Sequence, residues 1–227
     1  MKRMFTHAGY IGIAVLLIST VLIGINPTKA GTLPEGFMTP IIAFEFIGSE
    51  QEVLDLFGHE AGQARDVLVH KIDLGNTMDF AYMLAYASFL ALFSFICFKE
   101  SGKKWFIVPI VLSAVVLGAD ALENVQLLSI TAKIAAGGYS AELARLHICT
   151  WIKWGGLAAI FVSLIPFLWL DGIFGKIISG ISAVAAAAAL SAFMSRGVLN
   201  EIYGLLVALV FVLLIVFSFT YKKKTVQ

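Results

Sequence analysis

The chain has 227 residues, of which 59% are hydrophobic and 14% are charged, and its formal net charge is +1. This composition is too apolar for an ordinary soluble domain, and several apolar runs are long enough to cross a bilayer. The small net charge and the lack of a basic stripe give no reason to expect a nucleic-acid partner. The sequence therefore predicts an all-α integral membrane protein whose main partner is the lipid bilayer.

Six apolar segments predict a single membrane domain, residues 1–227, built as a bundle of about six transmembrane helices. The first segment follows Lys2 and Arg3, and a small-residue cleavage pattern at 28–30 leaves two alternatives open: a cleaved signal peptide or a retained span. The approximate bounds of the predicted spans are 5–25, 78–98, 105–128, 148–170, 176–194 and 202–221.

Residues 26–76 form the longest polar segment and are predicted to lie on the outer side of the membrane. The sequence from Ser49 to Glu52 has the capping-box pattern, which predicts a short helix that ends at Gly58. This amphipathic segment either lies as a cap on the bundle or binds a partner protein.

Two further features of the outer segment carry structural expectations. The apolar patch from Ile41 to Phe46 is expected to lie in the membrane interface. A second amphipathic helix is expected over about 60–74, separated from the second span by a new helix start at Asn76 or Thr77.

The distribution of charge predicts the orientation of the bundle. If the N-terminus is inside, the inner segments contain only two acids, Glu100 and Asp171, beside a large set of basic residues, as the positive-inside rule requires. Those basic residues are Lys2, Arg3, Lys99, Lys103, Lys104, Lys176, Lys222, Lys223 and Lys224. Both termini are then cytoplasmic, and Cys97 and Cys149 fall near opposite membrane faces, too far apart for a disulfide.

Polar residues on three of the spans are expected to share one layer in the outer third of the membrane. A helix rises about 1.5 Å per residue, so heights can be counted from the inner end of each span. The residues in this layer are Asp79, Tyr82, Asp120, Glu123, Asn124 and Lys153. Asp120, Glu123 and Asn124 also share one helix face, because they are spaced i, i+3 and i+4.

Ionisable groups inside a membrane usually pair or line a wet cavity. Two interpretations of the layer stay open. One is a polar pocket open to the outer side, with His147 above it. The other is a structural ion-pair network in which Lys153 neutralises Asp120 and Glu123.

Motifs for metal, cofactor or nucleophile chemistry are not found in the sequence. The histidines form no close ligand pattern, and there is no P-loop, nucleophile elbow, C-x-x-C pair or dinucleotide fingerprint. We therefore predict no cofactor and no metal site, although an Asp/Glu/His set from separate helices is not excluded by spacing alone.

A stripe of small residues on the fifth span, Ser179, Ala183, Ala187 and Ser191, recurs every four residues. Such a face permits close helix contact. It is a candidate surface for a membrane-protein partner or for a homo-oligomer.

Four short motifs resemble a group of bacterial multi-pass proteins: the stretch from Pro40 to Glu45, Asp79-Phe80-x-Tyr82, Ala119-Asp120-x-x-Glu123-Asn124, and Lys153-Trp154. The resemblance covers residues 40–155 and implies a location in the bacterial inner membrane. It carries no activity across. The expected function is a non-enzymatic structural, accessory or interaction component. The alternatives are a small-solute or proton transporter and an intramembrane enzyme acting on a lipid-type substrate.

Overall fold

The computed structural model describes residues 2–222, without the side chains of Lys2 and Arg3. The predicted basic residues Lys223 and Lys224, and those two side chains, lie outside the described residues. The helices are α1 (Lys2–Ile25), α2 (Pro40–Glu45), α3 (Glu50–Phe57), α4 (Gln63–Ser101), α5 (Ile107–Lys133), α6 (Ser140–Leu168), α7 (Ile173–Met194) and α8 (Val198–Thr220). A 3₁₀ turn, Lys104–Phe106, precedes α5.

Six of these helices are long and apolar enough to cross a membrane, within the part of the chain that the structure describes. They are α1 and α4 to α8, and each overlaps one predicted span. Large apolar side chains such as Leu17, Ile23, Leu190 and Leu205 are exposed on their outer faces. A surface of this kind fits lipid rather than water. The predicted fold class, an all-α bundle of about six membrane helices, is confirmed.

The six long helices form a closed ring. Consecutive long helices pack side by side, and α8 returns to pack against α1. Glycines close this last contact: a Cβ added to Gly9 would lie 2.6 Å from Cζ of Phe219, and one added to Gly12 would lie 2.4 Å from Cγ1 of Ile215. Small residues allow helix backbones to approach closely. In a membrane this close packing takes the place of the hydrophobic effect in holding helices together.

The predicted helix start at Asn76 or Thr77 is wrong, because α4 continues through it for 39 residues, about 58 Å. Thr77 does not cap a new helix; its hydroxyl donates to the carbonyl of Asp73 one turn earlier, at 2.7 Å. Gly75 packs against the chain after α1, where a Cβ would lie 2.2 Å from Oδ1 of Asn26. This tertiary contact lies directly before the predicted helix start, within the continuous helix.

Residues 26–62 connect α1 to α4 and are named the cap. In the cap, α3 forms as predicted: Ser49 Oγ accepts from the amide of Glu52 at 3.2 Å, and Gly58 follows the helix with a φ of 99°. The apolar side chains of Val53 and Leu56 are buried. The end of the bundle that carries the cap is called the cap end.

The patch from Ile41 to Phe46 packs into the bundle, and its expected place in the membrane interface stays a prediction. It forms α2, which packs against α5 and α6, with Ala43 and Phe44 buried. Glu201 at the start of α8 holds this helix in place. Its carboxylate accepts from the amides of Met38 and Thr39 at 3.0 and 2.8 Å, and from the Thr39 hydroxyl at 2.8 Å.

The end of the bundle opposite the cap is filled by aromatic rings, called the aromatic cluster. Its members are Phe5, Phe89, Phe93, Phe161, Phe167, Phe211, Phe217 and Tyr221. Phe5 and Tyr221 have ring centroids 4.5 Å apart, and Phe93 and Phe217 are 5.9 Å apart. The buried hydroxyls of Ser94, Ser179 and Ser218 donate within their own helices, at 2.7 Å from Ser94 to the carbonyl of Leu90. The interior on this side is therefore tightly packed and apolar.

Candidate functional site

The ammonium group of Lys153 lies at the centre of a cluster of carboxylates. Its Nζ is 3.0 Å from Oε1 of Glu123, 3.1 Å from Oδ1 of Asp120 and 3.2 Å from Oε2 of Glu45. Glu123 and Asp120 belong to α5, Lys153 to α6 and Glu45 to α2. One side chain thus joins two membrane helices to the cap.

The remaining predicted residues surround this centre on α4 and α5. Asn124 donates from Nδ2 to Oδ2 of Asp79 at 2.8 Å. Tyr86 donates its hydroxyl to Oδ2 of Asp120. The Tyr82 ring packs edge-on against Tyr86, with centroids 5.4 Å apart. Each acid of α5 is therefore held by a group from a neighbouring helix.

Glu45 enters the cluster from the cap. Its Oε2 accepts a hydrogen bond from Nε1 of Trp154 at 2.9 Å and also faces Lys153. Trp154 packs against Tyr203, whose hydroxyl donates to the Trp154 carbonyl at 2.7 Å. These contacts fix the tryptophan and, through it, the carboxylate that α2 brings into the bundle.

A cavity of about 160 Å³ lies beside Lys153. Three carboxyl-bearing residues line it, Glu45, Asp79 and Asp120, together with Lys153 itself. The other lining residues are Ile42, Tyr82, Tyr86, Trp154, Leu157, Val207 and Phe211. The volume is sufficient for several water molecules or a small solute. Phe211 belongs to both the cavity wall and the aromatic cluster, so the polar space meets the packed apolar interior at this ring.

The charges of the cluster do not balance. Four carboxyl groups, those of Glu45, Asp79, Asp120 and Glu123, meet one ammonium group. Glu123 is fully buried, and its Oε2 has no hydrogen-bond partner among the described residues. An unsatisfied acceptor and surplus negative charge are both costly in a low-dielectric interior. The arrangement can therefore accept positive charge from a proton or a small cation.

The structure brings together all six residues that the sequence placed in one layer: Asp79, Tyr82, Asp120, Glu123, Asn124 and Lys153. It does not place His147 with them; this side chain is exposed and lines a separate cleft beside Ser49 and Ser140.

Sequence reasoning missed three members of the site, namely Glu45, Tyr86 and Trp154. The signal for Tyr86 was present, because it lies seven residues after Asp79, two turns along the same helix face. Trp154 directly follows Lys153. Glu45 is the single acid in the apolar patch of the cap, but only the three-dimensional path of α2 brings it to Lys153.

Two further features concern the small-residue stripe on α7 and possible metal-binding groups. On α7, Ser179 is buried against the bundle, whereas Ala183, Ala187 and Ser191 are exposed. Its use for a partner or a homo-oligomer stays a prediction. Within residues 2–222, no group of three or more His, Cys, Asp or Glu side chains has a geometry suited to a metal ion.

Comparisons with protein-family models, with curated protein sequences and with solved structures gave no match. The interpretation of the site therefore depends on its geometry and charge.

Proposed function

We propose that the protein is a non-enzymatic, multi-pass component of the bacterial inner membrane that binds a small positively charged solute in the cavity beside Lys153. This proposal rests mainly on the excess of carboxyl groups around the cavity. A buried ion pair needs one carboxylate for each ammonium, whereas this cluster has four for one. Ionisable groups at such depth usually serve binding or transfer, because their burial is otherwise unfavourable.

The cavity walls suit an ammonium-type ligand. Tyr82, Tyr86 and Trp154 contribute aromatic surface, and aromatic rings attract cations through their negative faces. The Lys153 ammonium already lies 5.4 Å from the Trp154 ring centroid. Asp79 is the lining carboxylate with an amide partner, Asn124, and no ammonium within ion-pair distance among the described residues. We assign to Asp79 the main contact with the solute.

Binding, rather than transport, is the part of this proposal that the geometry supports. A transport path would have to cross the aromatic cluster, where Phe5, Phe93 and Phe217 are buried and Phe5 makes edge-to-face contacts with the other two rings. A small-solute or proton transporter would need a second conformation in which these rings separate.

The solute-binding proposal can be tested with methylammonium as the probe. The purified full chain in detergent is heated with increasing methylammonium chloride, with sodium chloride keeping the ionic strength constant. Binding to the folded state raises the unfolding midpoint in a saturable way. Asp79→Asn should abolish this rise. Glu142→Gln, which changes a carboxylate in the first turn of α6 outside the cavity, should keep it.

Two results would contradict the proposal. One is an unchanged midpoint at all methylammonium concentrations, and the other is an equal rise in the Asp79→Asn variant. Either result would favour the second candidate, a structural lock, in which the ion pairs of Lys153 only hold the cap to the bundle. The specific observation for a lock is that Lys153 contacts carboxylates of both the cap and α5.

A further inference from the structure

A second, separate site lies in the cap, where a cleft of about 430 Å³ contains three cationic side chains. They are Lys29 after α1, and Arg65 and Lys71 on α4. No carboxylate among the described residues lines this cleft, and its other walls are Pro27, Ala30, Gly31, Phe57, Gly58, Ala64, Val67 and Leu68. The cleft has the opposite charge to the Lys153 cluster and shares no residue with it.

Arg65 is the decisive residue of this cleft. Only 9% of its surface is exposed, and the side chain lines the cleft. No hydrogen bond or ion pair joins it to any other residue in the described part of the chain. Its five N–H donors therefore have no protein acceptor and are free to bind a ligand in the cleft. A ligand with several acceptor oxygens would satisfy them.

The first turn of α4 adds further donors at the same place. Gln63 begins the helix, and its N-cap, Gly62, has no side chain that could accept from the first amides. Ala64 and Arg65 of this turn line the cleft. The free amides and the positive end of the helix dipole favour an anion here.

The loop that carries Lys29 is fixed against α3. The amide of Gly31 donates to the carbonyl of Leu56 at 2.8 Å, and that of Thr32 donates to Asp55 at 2.8 Å. A Cβ at Gly31 would lie 2.3 Å from the Asp55 carbonyl oxygen, so only glycine allows this approach. The backbone that carries Lys29 is thus fixed beside the cleft by the fold, while the Lys29 and Lys71 side chains are exposed.

We propose that this cleft binds a phosphate-type oxyanion. The oxygens would accept from the Arg65 guanidinium and the first α4 amides, with Lys29 and Lys71 supplying further positive charge. Arg65 lies about 21 Å and Lys71 about 12 Å beyond Asp79 along α4. At these heights the oxyanion can belong to a soluble molecule or to the headgroup of a lipid, and both present the same chemistry.

Binding of inorganic phosphate to the purified full chain tests the site, measured by calorimetry against a chloride buffer of equal ionic strength. We expect saturable binding that Arg65→Gln weakens by about tenfold or more, because charge-assisted hydrogen bonds are lost. Arg145→Gln removes an exposed arginine from the same end of the bundle and should bind like the wild type. If Arg65→Gln does not fold, Lys71→Gln replaces it, with a smaller loss expected.

A second arm identifies the source of the oxyanion. The protein is placed in nanodiscs of phosphatidylcholine with or without phosphatidylglycerol, and retained lipid is counted by native mass spectrometry. Retention of phosphatidylglycerol that depends on Arg65 or Lys71 indicates a lipid headgroup, whereas binding of phosphate alone indicates a soluble ligand. If neither binds, or if the Arg65 and Lys71 variants bind both as the wild type does, the proposal is wrong.

Discussion

At the scale of single residues, Lys153 shows how one buried charge can organise several others. Its ammonium contacts Glu45, Asp120 and Glu123 within 3.2 Å, and its side chain is 11% exposed. Removing the positive charge would leave mutually repelling carboxylates in a poorly solvated space. Loss of one partner in a buried ion pair is therefore more harmful than loss of both.

We predict that Lys153→Met lowers the free energy of unfolding by about 3–5 kcal/mol. Combining it with Glu123→Gln should cost less than the sum of the single changes, with a coupling of roughly 0.5–3 kcal/mol, because the neutral amide no longer requires the lysine. Wild type, the two single variants and the double variant are compared by chemical unfolding in detergent. Lys133→Met, which removes a half-exposed lysine from its pair with Glu142, should change stability little. Strict additivity would show that Lys153 and Glu123 act independently.

At the scale of elements, helix periodicity and rise predicted the α5–α6 part of the site. Asp120, Glu123 and Lys153 needed only a regular helix and consecutive packing to meet. The path of α2 was not predictable in this way. It depends on Glu201, more than 150 residues later in the chain, accepting the amides of Met38 and Thr39. Local pattern contains no information about that contact.

The helix break predicted near Thr77 is absent from α4 for a related reason. Asparagine and threonine are favoured at helix N-caps, so the local sequence at Asn76 and Thr77 predicted the start of a second helix. The long-range contact of Gly75 with Asn26 instead stabilises a continuous helix. Tertiary packing decided the outcome where local preference was weak.

The attachment of α3 to the turn between α7 and α8 gives a pH-dependent prediction. Burial alone would raise the pKa of Glu52, but its hydrogen bonds with Arg196 and with the amide of Gly48 outweigh this and lower the pKa below 4.5. A depressed carboxyl pKa stabilises the fold at pH values above the unfolded value. This contribution is lost as the pH falls from about 4.5 through the lower folded pKa.

Wild type should therefore be more stable than Glu52→Gln at neutral pH, and the difference should shrink once the pH falls below 4.5. Unfolding midpoints measured from pH 7 to about pH 3 test this sign. Glu60→Gln changes an exposed acid of the same cap and serves as the control. A difference between wild type and Glu52→Gln that stays constant over the whole range would show that Glu52 acts by packing rather than by charge.

At the scale of the whole molecule, the ring of six helices has two chemically different ends. The cap end carries the Lys153 cavity and the Arg65 cleft, whereas the opposite end contains the aromatic cluster. Lysines at the aromatic end, such as Lys99 and Lys176, lie over the rings of Phe95 and Trp169. This asymmetry agrees with a cytoplasmic aromatic end under the positive-inside rule. Both binding proposals would then concern ligands that arrive from the outer side.

The orientation is tested by labelling single introduced cysteines with a membrane-impermeant thiol reagent in intact cells. The native cysteines suit this poorly, because Cys97 is fully buried and would stay unlabelled in either orientation. It can remain in place, while Cys149→Ser removes the partly exposed thiol. Ala141→Cys lies at the exposed start of α6 near the cap, and Lys103→Cys lies in the exposed loop between α4 and α5.

We predict that the thiol introduced by Ala141→Cys reacts in intact cells and that the one introduced by Lys103→Cys reacts only after permeabilisation. The reason is that two positive charges remain near position 103, on Lys99 and Lys104, and basic loops of this length are retained in the cytoplasm. The reverse labelling pattern would show that the bundle has the opposite orientation in the membrane. The Lys153 cavity and the Arg65 cleft would then face the cytoplasm, and their ligands would have to be cytoplasmic solutes or inner-leaflet lipids.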